Sequence, residues 1–350
     1  MKYIVTLLLA QFFMIDIEAS PLILRPWENH SSPLRMSKNF KKKFTNLPLF
    51  GQATGGRRYW SSDYWALNKG NINYRWNSVE PNGFDLNSPD EEEVIRMEIE
   101  ELKSLAPSEK YDLFLGEYKY PLKKLVSKRT SPTRKDWEGI CHGWARATLN
   151  HNEPNAKIML NPDGVRIPFG SSDIKALLSY YYAYHYTPAS THQMGRRCRG
   201  GKFCSDDMNA GAFHIVLANK VGLKGESFIA DIERSREVWN HVVYSYRSEI
   251  VDSELSPTRD SAKGTVKVIR VKTKMRVVSN IVANSWLPVR GTPLQTFRDE
   301  DYEYDLDINK YGKIIGGDWR SDKRPDFLWL ASPVKKFTGP FSRLSELLDD

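Results

Sequence analysis

The hydrophobic period of this chain changes once, near Gly211, and that change limits the folds open to it. Before it, apolar residues recur at helical spacing. Ile95, Ile99 and Leu102 follow Ser88-Pro89-Asp90-Glu91, which reads as a capping box with proline at the first helical position. Pro107 to Leu115, closed by Gly116, predicts a second short helix. Ser172 opens a third, with Ile174, Leu177, Leu178, Tyr181 and His185 on one face. Beyond Gly211 short apolar runs take over, at Ala212 to Ala218 and Ser227 to Ile232, while Tyr302, Tyr304, Leu306 and Ile308 alternate as strand residues do. Val266 to Val278 predicts a long strand whose alternation slips near Ile269, as at a bulge. Helices first and antiparallel strands later predict an α+β fold.

Composition excludes the disordered and disulfide-scaffold classes: 10 Trp, 17 Tyr and 15 Phe supply a core, and 3 Cys cannot staple one together. The net charge of +8 is spread over 350 residues. Lys41 to Lys43, Arg57-Arg58, Lys123-Lys124 and Arg196 to Arg199 are its local clusters, which reads as a solvated surface and gives no expectation of nucleic-acid binding. Residues 1–19 resemble a secretory signal, with one Lys, an apolar run from Tyr3 to Ile15 and small residues at its end. That run is too short to span a membrane, so a secreted or periplasmic protein without stable membrane insertion is expected. Residues 20–56 mix Pro, Ser, Asn and Lys with little periodicity, as an arm or propeptide would. Residues 57–350 form the expected catalytic domain.

Export makes the cysteines informative. Cys198 and Cys204 are expected to pair in a Gly/Arg-rich segment, which leaves Cys141 as a thiol kept for chemistry or as an inert core residue. Cys141 stands in Trp137-Glu138-Gly139-Ile140-Cys141-His142-Gly143-Trp144-Ala145, just before a helical stretch. At a helix N-terminus the dipole favours thiolate, so a depressed thiol pKa is expected. Trp137, Trp144 and Trp239 are candidate walls or oxyanion donors of an acyl pocket.

The runs 212–218 and 227–232, joined by Asn219 to Gly225, read as a β-hairpin. Reflection about its midpoint sets His214 opposite Asp231, the arrangement in which a carboxylate holds an imidazole in one tautomer. Cys on a helix, His on a strand and Asp on the next is the chain order of papain-like and transglutaminase-like thiol enzymes. Cys141, His214 and Asp231 are therefore the candidate catalytic residues. His142, adjacent to Cys141 on the helix, is expected to point away from it. The C-x5-C spacing is too loose for a zinc site, and Asp305, Asp307, Asn309 and Gly312 do not complete a calcium loop, so no metal site is expected.

Taken in order, several pieces of the chain resemble the transglutaminase elicitor family over roughly residues 59–337. They are Tyr64-Trp65, Ile72-Asn73-Tyr74-Arg75-Trp76, Ser108 to Asp112, Trp137 to Ala145, Gly211 to Leu217, Phe228-Ile229-Ala230-Asp231, Glu237-Val238-Trp239-Asn240, Ile314 to Trp319 and Pro325 to Trp329. His142 departs from the family pattern, where a smaller amide is expected. The resemblance implies a protein-glutamine γ-glutamyltransferase whose Cys-His-Asp site falls on Cys141, His214 and Asp231. Its core would be transglutaminase/papain-like, with the nucleophile's helix packed on an antiparallel β-sheet or barrel. Its partners would be proteins bearing Gln and Lys, or small primary amines. The thiol chemistry requires no cofactor, and the residues give calcium no support. The alternatives are a papain-like cysteine protease or amidase, and a non-catalytic secreted elicitor or binding protein.

Overall fold

A computed structural model describes residues 27, 29–54, 58–75, 83–197, 208–281 and 295–349. The expected signal at 1–19 and the expected Cys198–Cys204 disulfide lie outside the described residues. A short strand β1 (Phe50–Gln52) precedes five helices: α1 (Glu91–Arg96), α2 (Ile99–Ser104), α3 (Pro107–Phe114), α4 (Pro121–Ser127) and α5 (Cys141–Asn150). A two-stranded ribbon, β2 (Lys157–Leu160) and β3 (Arg166–Phe169), leads to the long helix α6 (Ser171–Tyr184). Then come β4 (Thr191–Gly195), α7 (Ala210–Leu217), β5 (Ile229–Asp231), β6 (Asn240–Leu255), β7 (Thr265–Val278), β8 (Phe297–Asn309), β9 (Ile314–Trp319) and β10 (Phe327–Ala331). The expected mixture of helices and antiparallel sheet is present.

The main sheet has 8 strands, ordered β4-β10-β5-β6-β7-β8-β9, with β1 added beside β6. All its pairings are antiparallel. Alternation along its strands sorts side chains between two layers. Ile229, Val242 and Trp329 join a core with Trp144, Leu177 and Tyr181 of α5 and α6, while Ala230, Val243 and Leu328 join a second core with Phe213 and Val216 of α7. Tyr302, Tyr304, Leu306 and Ile308 of β8 all fall in that second core, as their alternation requires. Met36, Phe40 and Leu47, from the segment preceding β1, pack into it too.

One feature differs from the sequence expectations near the N-terminal helices. The cap of α1 is Asp90 with Glu93, two residues beyond Ser88, whose hydroxyl instead donates to Glu109 at 2.7 Å. In β7 the ladder is irregular where the slip is expected: against β6 the register shifts between Asp252↔Arg270 and Leu255↔Val268, a step that spans Ile269, and a further shift against β8 lies between Thr265 and Lys267.

The larger correction concerns residues 212–218, which lie in a helix and not in a strand. Asn209 caps α7, its side-chain oxygen accepting from the Gly211 and Ala212 N–H groups at 2.9 and 3.2 Å, and the chain continues through a π-helical turn at Ala218–Leu223. Every residue of α7 is buried, so its sequence carries neither a helical stripe nor a strand alternation to separate the two readings. No hairpin joins it to β5. Asp231 pairs instead with Asn240 of β6 and Phe327 of β10.

The helical layer holds several buried charges that are paired. Lys110 meets Asp173 at 2.8 Å, and Glu109 receives Lys123 at 2.8 Å and Arg75 Nε at 2.8 Å. Asp112 accepts the Leu122 and Lys123 N–H groups at 2.9 and 3.0 Å, which fixes the start of α4 against the end of α3.

Candidate active site

Cys141 is the first residue of α5, and two glycines explain how that end is held. A Cβ on Gly139 would collide with the Tyr64 carbonyl, beneath which the chain passes so that Ile140 N–H donates to Tyr64 O at 2.7 Å. A Cβ on Gly143 would overlap the Ser179 carbonyl oxygen and come within 2.9 Å of Ala183 Cβ, so α5 lies against α6 at backbone distance. Ile140, at the cap position, supplies no side-chain cap. The His142 N–H donates to the Cys141 sulfur, and the Gly143 N–H turns back to the Ile140 carbonyl at 2.9 Å.

Sheet register sets the other wall. Asn240, Asp231 and Phe327 are direct partners across β6, β5 and β10, and Trp329 and Ala331 continue opposite Gln193 and Thr191 of β4. Cross-strand partners share a face. Thr191, Gln193, Asn240, Phe327 and Trp329 accordingly line one pocket of about 420 Å³ with Cys141, Trp137, His142 and Arg146.

Within that pocket the Cys141 thiol donates to the Val238 carbonyl at 3.4 Å, and the Asn240 Nδ2 amide approaches its sulfur at 3.7 Å. Trp329 Nε1 donates to Asn240 Oδ1 at 2.8 Å, which orients that amide with its NH2 toward the sulfur. Burial pushes the Cys141 thiol up from its ordinary value, against the hydrogen bonds from Asn240 and the His142 backbone, and the Asp231 carboxyl adds to the rise. The expected depression by the helix terminus is thus reversed.

Asp231 is fully buried in the same row as Asn240. Its Oδ1 accepts the Trp239 N–H at 2.8 Å, and among the described residues its Oδ2 has no hydrogen-bond partner. Burial raises its pKa well above the ordinary range, and Asp326 and Glu233 add to the rise, while the Trp239 N–H and Arg197 oppose it.

His214 is elsewhere. It sits on α7 in the second core, on the opposite layer from Cys141, with Nδ1 2.8 Å from the Tyr304 hydroxyl, which in turn meets Thr273 Oγ1 at 2.7 Å. It neither lines the pocket nor faces Asp231, which corrects the expected imidazole–carboxylate pair. The cause is the helix at 210–217 in place of a strand. His142 is among the residues lining the pocket, while its ring packs edge-on against Tyr184 at 6.4 Å and interacts with the Ala183 backbone, away from the thiol as expected, with burial and the Arg146 charge holding it down at about 4.

Of the three tryptophans, Trp137 lines the pocket. Trp144 is buried, with its indole N–H donating to Trp60 O at 3.1 Å. Trp239 stands with its ring 5.3 Å from Tyr64 and its indole N–H on Glu237 at 2.8 Å. Neither is a pocket wall. The sequence reading missed Asn240, Trp329 and Arg146. The signal for the first two lay in the segments Glu237 to Asn240 and Pro325 to Trp329, which carried the resemblance without an assigned role.

A helical layer on an antiparallel sheet, with a thiol at the start of a helix facing a sheet-borne amide and carboxyl, defines the class: a mixed α/β protein with a candidate thiol site. The chain belongs to the transglutaminase elicitor family, whose pattern it matches over residues 124–338. Its fold is similar to the crystal structure of the GP42 transglutaminase from Phytophthora sojae, with a TM-score of 0.66 and 20% identity, over 92% of this chain and 97% of that one. No curated protein matches the chain. Among the described residues no helix is long and apolar enough to cross a membrane, and no group of three His, Cys, Asp or Glu side chains is placed to hold a metal ion.

Proposed function

We propose that this protein is an exported thiol acyltransferase of the transglutaminase type, in which Cys141 attacks the γ-carboxamide of a substrate glutamine. The observation that carries the reading is the Cys141 sulfur held in a pocket between the Asn240 amide and the electrostatic reach of a buried carboxyl, Asp231, one of whose oxygens is unpartnered among the described residues. In this scheme the sulfur–carbon bond forms as the Asp231 carboxylate takes the thiol proton. A carboxyl with a raised pKa is the stronger base for that purpose. Asp231 then returns the proton to the amide nitrogen as the carbon–nitrogen bond breaks and ammonia leaves. A neutral primary amine attacks the thioester, loses a proton to Asp231, and the new amide is released with the thiol restored. The uncapped Cys141 N–H, the Asn240 NH2 and the Trp137 indole are the candidate donors to the oxyanion. Export follows from the N-terminal sequence.

The test is incorporation of a fluorescent primary amine into a glutamine-bearing protein, with and without calcium. Wild type should form a stable amide and Cys141→Ala should not. Cleavage of the protein without incorporation would make the site a protease or amidase. The raised thiol pKa and the absence of an imidazole pair at Cys141 favour one further reading, a non-catalytic elicitor. That reading holds if Cys141→Ala retains every activity of the wild type.

A further inference from the structure

The Cys141 pocket is lined by two guanidinium groups that, among the described residues, no carboxylate meets at ion-pair distance, although the buried Asp231 feels the charge of Arg197 from further off. Arg146, one helical turn beyond Cys141 on α5, stacks over the Trp329 ring at 4.8 Å and donates one N–H to the Tyr182 carbonyl at 3.0 Å. Arg197, exposed two residues past the end of β4, stacks over the Trp137 ring at 5.5 Å and donates to the Arg236 carbonyl. Among the described residues neither has an Asp or Glu within ion-pair distance. Arg146 Nε is buried with no hydrogen-bond acceptor. The carboxylate that does line the pocket, Glu138, is already bound to Arg134 at 3.2 Å.

Stacking on indole fixes the plane of each guanidinium without using up its charge. Both groups line the pocket that also contains the thiol, one stacked on Trp329 and one on Trp137. Among the described residues the pair lacks an acidic side chain at ion-pair distance, the partner that an arginine in a pocket most often has. A carboxylate brought by a ligand would complete it, and the fork geometry suits a carboxylate.

We propose that Arg146 and Arg197 are the specificity residues of the Cys141 pocket, selecting an acyl donor with a carboxylate beside the reacting amide, that is, a glutamine in an acidic peptide. The proposal rests on the acyl-transfer reading for the donor's role, and the anion selection itself can be read without turnover. Alkylation of Cys141 is measured with iodoacetate, an anion, and with iodoacetamide, its neutral analogue. Dividing the two rates cancels the ionisation of the thiol. In the full-length protein the iodoacetate-to-iodoacetamide ratio should exceed that of the same thiol in the urea-unfolded chain by about tenfold, as a cationic pocket concentrates an anion. It should fall several-fold in Arg197→Gln and in Arg146→Met, and should fall with added salt. Arg197 is exposed, so its variant folds even if loss of Arg146 disturbs the packing on Trp329. A wild-type ratio equal to that of the unfolded chain, or a raised ratio that neither variant lowers, overturns the proposal. In a second arm, Arg197→Gln should raise KM for a Glu-flanked glutamine peptide about tenfold with little change in kcat, and should not raise it for a Lys-flanked peptide, whose repulsion it relieves. A raised ratio that the variants lower, in a protein that incorporates no amine at all, supports the anion site and overturns the acyltransferase reading alone.

Discussion

Trp329 and Asn240 are joined by an indole N–H donating to a side-chain carbonyl at 2.8 Å, and that single bond decides which end of the Asn240 amide faces Cys141. The two residues come from β10 and β6, separated in the sheet by β5, where Asp231 is the partner of Asn240 and Ile229 that of Trp329. Removing the indole donor leaves Asn240 Oδ1 buried and unbonded. Trp329→Phe should therefore cost about 1–3 kcal/mol in urea unfolding and let the amide turn. Alkylation of Cys141 should slow at fixed pH. Unchanged stability together with unchanged alkylation would show that the bond positions nothing.

Asp231→Asn separates the carboxyl's proton chemistry from its architecture, because Asn keeps the acceptor for the Trp239 N–H. Amine incorporation should fall by about 10²- to 10⁴-fold. The stability profile should change in a defined direction as well. Since the native carboxyl holds its proton to a higher pH than the unfolded one, wild-type stability falls as pH rises from the ordinary Asp range through the raised native value. The Asn variant should lack that fall, which denaturant titrations at a series of pH values would detect.

His214 makes the opposite pH prediction. Burial holds it down at about 4, against an ordinary value of 6.5, so between those values the unfolded chain binds the extra proton and stability falls as the solution is acidified. His214→Gln should flatten that acid loss by an amount on the order of 3 kcal/mol between pH 6.5 and 4. His142 and His241, also held at about 4, keep their own contributions of the same sign. Because His214 lies in the other core, the pH profile of Cys141 alkylation should be the same in variant and wild type. A shifted profile would place His214 in contact with the thiol after all.

The α5–α6 contact gives a prediction that concerns packing alone. Gly143→Ala places a methyl group on the Ser179 carbonyl, which belongs to α6 backbone and has no room to turn aside. The two helices must separate, at a cost of about 1–3 kcal/mol, and Cys141, two residues away, moves with its helix. Thermal unfolding and alkylation rate should both change. A fully stable variant with a wild-type alkylation rate would mean that the close approach is not needed.

How far the chain announces its own structure depends on the kind of residue asked. Helix α3 is legible because proline opens it and Gly116, at φ +76°, closes it, and α6 because its apolar face recurs over 14 residues. The strands β7 and β8 are legible because each is long enough for alternation to show. The start of a helix at Cys141 and the strand ending at Asp231 are local features and were read locally. What the sequence by itself determined is this order of elements and the presence of one thiol between close-packed glycines. The tertiary structure decided which side chains meet that thiol. Residues 210–217 are apolar on every side because they are buried on every side, so only packing against β8 and β9 shows that they form a helix, and with that His214 leaves the site. Asn240 is 99 residues from Cys141 and 89 from Trp329. No local periodicity encodes such meetings, because they are set by strand register across a sheet that forms only when the whole chain has packed.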